Sequence, residues 1–167
     1  MDFHQFYMNV AITVREKANC RGRKVGAVLA KQNRIISTGY NGTPEGMRNC
    51  LDGGCVRCCN REMFKAGDGY HLCICVHAEQ NALISAARFG VAVEDSVIYS
   101  TMSPCFDCAK LALQAKVKAV YYVEKWQPSP SLPMLIDQYD LILRQFPDGV
   151  YQLALPAAAD PNDRLVA

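Results

Sequence analysis

Apolar positions recur along the chain with two periods, and the alternation of those periods predicts alternating helices and strands. In residues 2–18, Phe3, Phe6, Tyr7, Val10, Ala11 and Val14 fall on one helical face and predict a first helix. Two runs of strand formers follow at residues 25–30 and 34–39, carried by Val25, Val28, Leu29, Ile35 and Ile36. The Lys31-Gln32-Asn33 link between them has the length of a hairpin. Tyr40-Asn41-Gly42-Thr43-Pro44 closes the second strand with strong turn signals. In residues 77–89 a stripe of Ala78, Ala82, Leu83, Ala86 and Ala87 predicts a helix that stops at Gly90. Residues 96–101 (SVIYST) read as a strand leading into another helix, with Ser103 as N-cap and Pro104 as its first residue, running to about Ala115. A strand at 118–123, a proline-rich break at 127–133, a helix at 134–145 and a last strand at 150–155 complete the pattern. The tail, 156–167, reads as a flexible terminus.

Residues 45–76 break this rhythm. They are rich in Gly and Cys, lack periodicity, and are too long for a bare loop in a compact domain. A bound metal is the obvious support. The remainder predicts one α/β domain over residues 1–155: a mixed sheet covered by helices, with the insert at about 45–76. Its strand-to-helix connections bring two helix starts to one end of the sheet, where open α/β sheets bind ligands.

Those two helix starts carry the chemistry. His77-Ala78-Glu79 opens one and Pro104-Cys105-Phe106-Asp107-Cys108 opens the other. One imidazole and two thiols are good zinc ligands, and three ligands leave a fourth position for water. A helix N-terminus favours the thiolate that binds metal. Glu79 stands ready to move protons beside that water. A purely structural zinc would need a fourth protein ligand and would give Glu79 no task. The H-x-E…P-C-x-x-C pattern is the signature of zinc nucleobase deaminases.

Composition narrows the setting. Half of the 167 residues are hydrophobic, enough for a real core. No apolar run approaches the ~20 residues of a membrane span, and the N-terminal MDFHQFYMNV lacks the basic start of a secretory signal. Nine cysteines without such a signal indicate metal binding in a reducing compartment, hence a cytoplasmic protein. The net charge of +2 argues against a nucleic-acid partner, though not against a local phosphate pocket. Arg21, Arg23 and Lys24 would suit a triphosphate, but a run of basic residues is usually a solvated face.

With Gly39-Tyr40-Asn41-Gly42-Thr43-Pro44, His77-Ala78-Glu79-Gln80-Asn81-Ala82 and Ser103-Pro104-Cys105-Phe106-Asp107-Cys108-Ala109-Lys110 together, the chain resembles the deoxycytidylate (dCMP) deaminases of the cytidine-deaminase superfamily. The likeness runs from about Phe6 to Val123. It implies a three-layer α/β/α cytidine-deaminase-like fold, with a mixed five-stranded sheet and helices on both faces. It implies hydrolysis of dCMP to dUMP and ammonia, with His77, Cys105 and Cys108 on the catalytic zinc and Glu79 as the proton carrier. It also implies nucleotide contacts from Asn41 and a base pocket lined by Thr101, Ser103 and Pro104. Tyr121 and Tyr122 alternate on their strand, so one faces inward, where core packing is the ordinary role; Tyr122 is the candidate for a substrate contact instead. Relatives of this kind are often homo-oligomers, hexamers among them. Many are regulated allosterically by dCTP, with Mg²⁺, and by dTTP; here Gly26, Tyr40, Gly42 and Arg88 fall in the corresponding regions.

The resemblance further implies a second, structural zinc. Cys20 and Cys50 match two of its ligand positions, Cys75 stands where related chains have a carboxylate, and His71 or Cys73 would be the fourth ligand. Cys55, Cys58 and Cys59 in GGCVRCC form a rival cluster that could clasp a metal with Cys50. Two other readings compete with dCMP deamination. One is the same chemistry on dCTP or a 5-modified dCMP. The other is a zinc-stabilised binding module without catalysis, which would be indifferent to loss of Glu79.

Overall fold

Helix α1 (Phe3–Arg15) begins where the Asp2 carboxylate accepts the Gln5 N–H at 2.8 Å, an N-cap that satisfies one of the free donors of the first turn. In the computed structural model, which describes residues 2–65, 68–128, 130–146 and 150–153, it is followed by strands β1 (Gly26–Lys31) and β2 (Arg34–Tyr40). Gln32 and Asn33 join them with φ of 50° and 58°. Positive φ at both positions matches the twist of a two-residue hairpin turn, one residue shorter than the predicted link. The insert holds 3₁₀ turns at Cys50–Asp52, Arg61–Met63 and Tyr70–Leu72 and a one-turn helix α2 (Val56–Cys59). Then come α3 (Ala78–Arg88), β3 (Val97–Met102), α4 (Phe106–Gln114), β4 (Ala119–Glu124), α5 (Pro133–Leu143) and β5 (Val150–Gln152).

The strand order is β2-β1-β3-β4-β5. β1 pairs antiparallel with β2 and β3, whereas β3, β4 and β5 run parallel. The sheet is therefore mixed and five-stranded, as expected. Residues 154–155 of the predicted last strand and the whole 156–167 tail lie outside the described residues.

The central strands bury both faces, so their side chains divide between two cores. Ala27, Leu29, Ile98 and Val120 face α3 and α4 and meet Ala78, Ala82 and Ala112. Val28, Ala30, Tyr99 and Val123 face α1 and meet Tyr7, Met8 and Ala11. This is the three-layer arrangement. Tyr121 joins the α1 side, stacked between Tyr99 and Tyr151 at centroid distances of 5.1 and 4.9 Å. Tyr122 consequently points to the α3/α4 side. Among the described residues no helix is long and apolar enough to cross a membrane.

Candidate active site and metal centre

α3 and α4 begin side by side, and each start is shaped locally. His77 is the N-cap of α3, with extended φ and ψ of −75° and 158°, and its backbone N–H donates to Gln80 Oε1 at 3.1 Å. α4 starts later than the sequence predicts: Cys105, not Ser103, is the N-cap, and Phe106, not Pro104, is the first helical residue. Tertiary bonds explain the shift. Ser103 N–H donates to the Glu124 carbonyl at 2.7 Å, and its hydroxyl oxygen accepts from Trp126 N–H at 2.7 Å. The Pro104 carbonyl accepts from the buried Tyr139 hydroxyl at 2.7 Å. Ser103 and Pro104 are thus tied to the end of β4 and to α5, and the helix waits for Cys105. Cys105 and Cys108 become N-cap and third helical residue, where the helix dipole favours thiolate.

His77 Nδ1 lies 3.3 Å from Cys105 Sγ and 3.4 Å from Cys108 Sγ, and the three atoms all lie within 4.8 Å of one another. Tetrahedral zinc with bonds of ~2.0–2.1 Å to nitrogen and ~2.3 Å to sulfur would place such ligands about 3.6 Å apart. The donor set therefore fits a zinc ion with His77 bound through Nδ1. A hydrogen bond from Cys108, and then His77, pull the Cys105 thiol down to about 4. The bond to Cys105 holds His77 up at about 9. Cys108, donating to Cys105 and buried, is pushed well up. Metal uptake must displace the His77 and Cys108 protons.

Glu79, in the first turn of α3, is only 4% exposed. Burial, and then the negative charge of Cys105, raise its carboxyl above the usual range. Its Oε2 lies 3.6 Å from Cys108 Sγ, and its Oε1 accepts from the Ser100 hydroxyl at 3.0 Å. Ser100, fully buried on β3, escaped the sequence reading. The available signal was a small hydroxyl on the inward face of a strand beside the Glu79 helix.

The other expected site residues are distributed as follows. Thr101 is buried, its hydroxyl oxygen accepting from Gly26 N–H at 3.1 Å. Tyr122, the register partner of Ser100, shares its face of the sheet. Asn41 is 7% exposed and spends its side chain on backbone: Oδ1 accepts from Val25 N–H and Nδ2 donates to the Arg23 carbonyl, both at 2.8 Å. Of the effector candidates, Gly26 and Gly42 are buried. A Cβ at Gly26 would stand 2.2 Å from the Ala11 carbonyl of α1, and one at Gly42 would stand 2.6 Å from the Asn19 side chain. Close packing accounts for both glycines. Tyr40 and Arg88 are exposed, Arg88 pairing with Glu45 at 2.5 Å. Arg23 pairs with Glu124 at 2.9 Å, which suits the solvated-face reading. A hollow of about 290 Å³ lined by Ile35, Ser37, Ser85 and Phe89 lies at the opposite end of α3 and contains no titratable group.

The predicted second metal set needs correction. Cys20, Cys50 and Cys75 do converge, but the fourth member is Cys58, not His71. Cys73 falls in a second group with Cys55, Cys58 and Cys75. Cys59 and His71 join neither. Adjacent thiols at 58 and 59 on a one-turn helix point apart, so only one can face the cluster.

Comparison with known proteins agrees with this geometry. A family model described as the cytidine and deoxycytidylate deaminase zinc-binding region matches residues 1–124. The chain is 36% identical over 141 residues to the deoxycytidylate deaminase of Schizosaccharomyces pombe, covering 84% of this chain and 43% of that protein. It thus spans about half the length of the yeast relatives it matches. Among solved structures, the dCMP deaminase of cyanophage S-TIM5 in apo form is 31% identical with a TM-score of 0.64, covering 93% of this chain and all of that one. The same cyanophage enzyme in complex with dCMP and dUMP matches with a TM-score of 0.63 and 31% identity, over 90% of this chain and 95% of that one.

Proposed function

The chain belongs to the cytidine and deoxycytidylate deaminase family, and on that footing we propose that it is a zinc-dependent cytoplasmic hydrolase converting dCMP to dUMP and ammonia. The observation that carries the reading is a buried carboxylate beside three converging metal donors: Glu79 next to His77 Nδ1 and the sulfurs of Cys105 and Cys108. The choice of dCMP is supported by the names of its relatives and by the cyanophage enzyme that binds dCMP and dUMP.

His77, Cys105 and Cys108 would hold a zinc ion, which when bound would supply a water acidified to near neutral pH. Glu79 carries the protons. Its carboxylate accepts one from the attacking water and delivers it to ring N3 of the cytosine as C4 is attacked. It then takes the proton of the new C4 hydroxyl and passes it to the amino group, which leaves as ammonia as the C4–N bond breaks. Burial suits the task, because a carboxyl raised above its ordinary range holds a proton long enough to transfer it. Ser100 fixes the carboxylate's orientation through Oε1 and leaves Oε2 toward the metal donors. The turn at Ser103 and Pro104, with Tyr122 on the Ser100 face of the sheet, lines the base pocket, and Thr101 anchors that turn through its bond from Gly26 N–H. Asn41 shapes the sugar side by holding the Arg23–Val25 backbone in place.

The test is the ultraviolet change on deamination across dCMP, CMP, dCTP, 5-methyl-dCMP and deoxycytidine, with and without dCTP plus Mg²⁺. The expected result is turnover of dCMP, abolished in Glu79→Ala with zinc retained. Reaction of another nucleotide with dCMP inert would overturn the substrate. No reaction in zinc-replete protein would overturn catalysis in favour of a binding module. The effector lanes, and sizing of the protein in solution, test the dCTP-responsive homo-oligomer reading, with Tyr40 and Arg88 as the exposed candidates.

A further inference from the structure

The insert and its flanks build a core that contains almost nothing but sulfur. Cys20, Cys50, Cys55, Cys58 and Cys75 are buried together, with Cys73 packed against them. All six are free thiols. They form two sets of four, Cys20/Cys50/Cys58/Cys75 and Cys55/Cys58/Cys73/Cys75, each with its sulfurs within 4.8 Å of one another. The sets share Cys58 and Cys75.

The sulfurs lie 4.0 Å apart for Cys20–Cys58, 3.8 Å for Cys55–Cys73 and 3.6 Å for Cys58–Cys73. A tetrahedral zinc with ~2.3 Å bonds to sulfur holds its thiolates about 3.8 Å apart. Each set is therefore sized for one ion, and the two tetrahedra share an edge. We propose that these six cysteines hold a binuclear zinc–thiolate cluster, with Cys58 and Cys75 bridging the two ions. Cys20 and Cys50 complete one ion's shell, and Cys55 and Cys73 complete the other's.

Two ions use all six sulfurs at no extra cost in charge. A single zinc on four thiolates has a net charge of −2 and leaves two thiols crowded against it in a buried space. A second zinc, bringing two positive charges, takes up those two as thiolates and leaves the net charge unchanged. Both thiol protons are released to solvent, and no electron moves. The backbone adds donors where anionic sulfur would stand: Gly22 N–H to Cys20 Sγ and Arg21 N–H to Cys50 Sγ, each at 3.3 Å. The cluster also explains how a segment with only short helical turns holds its shape. Through Cys20 it ties the insert to the chain after α1, and through Cys75 it sets the approach to His77, two residues on.

The experiment is zinc counting on the full chain, purified under reducing conditions, by native mass spectrometry and elemental analysis, with zinc-edge X-ray absorption on the same sample. We expect a zinc–zinc distance shorter than twice the ~2.3 Å zinc–sulfur bond. We also expect the count to fall by one in Cys55→Ser/Cys73→Ser, with the zinc–zinc signal lost. His77→Ala reports separately on the catalytic ion: it removes one zinc without touching the zinc–zinc signal, so the two readings fail independently. Absence of the zinc–zinc signal in wild-type protein would overturn the proposal, and that reading needs no variant to fold. So would iron or copper as the bound metal, or a disulfide among the six.

Discussion

Replacing Gly39 with alanine tests the link between the sheet and the proton carrier. Gly39 lies on β2 beneath the first turn of α3. A Cβ built there would stand 2.2 Å from the Ala78 carbonyl oxygen and 2.5 Å from the Ala82 nitrogen. Both are backbone atoms, so no side chain can swing away. Since Cβ contacts essentially never fall below 3.0 Å, α3 must retreat by about 0.8 Å. Ala78 sits between His77 and Glu79, so the metal ligand and the proton carrier move with it, while Cys105 and Cys108 stay with α4. Overpacking of this kind costs ~1–3 kcal/mol. For a chain of this size that is a fall of ~2–4 °C in melting temperature per kcal/mol. A displacement near 1 Å at a reacting centre costs about 10²-fold in rate. Thermal melting, zinc content and dCMP turnover of Gly39→Ala are to be compared with Gly46→Ala. At that position φ is +84° and nothing lies within 4 Å, so backbone strain acts there without a clash. Melting and turnover of Gly39→Ala both equal to wild type would refute the contact. A lowered melting temperature with full turnover would refute its transmission to the site.

Three further outcomes follow from the site. Ser100→Ala removes a bond that favours the charged form of Glu79, so the acid limb of the kcat/KM profile should move to higher pH; losing a hydrogen bond to a charged group should lower turnover about tenfold or more. Zinc affinity at the catalytic centre should weaken as pH falls below the His77 value of about 9, since bound protons must leave. About tenfold per pH unit is expected for each proton displaced, read by chelator competition with Cys105→Ser to subtract the other sites; a flat profile would contradict the protonated His77–Cys105 pair. Tyr139→Phe leaves the Pro104 carbonyl without its 2.7 Å donor, a loss of ~1–3 kcal/mol seen in melting, and faster zinc release should accompany it if the Pro104 turn positions Cys105.

The elements and the catalytic donors were legible in the sequence because both are local. Hydrophobic periods placed every strand and long helix of the described residues to within a few residues. His77, Cys105 and Cys108 sit at two helix starts, so recognising the helices also located the group that could hold a metal. Features set by contact across long separations had to come from the fold. Ser103 reads as an N-cap in isolation, but β4 and α5 claim its backbone and hydroxyl, and the helix begins at Cys105 instead. Ser100 is one hydroxyl among several until the sheet places it under Glu79, 21 residues away. Likewise, nothing in GGCVRCC distinguishes Cys58 from Cys59. Only the folded insert turns Cys58 toward Cys20, 38 residues earlier, because a segment without periodicity has no repeat to say which side chains share a face. Local geometry thus determined which donors meet at the two helix starts, and tertiary packing decided which of the remaining sulfurs meet.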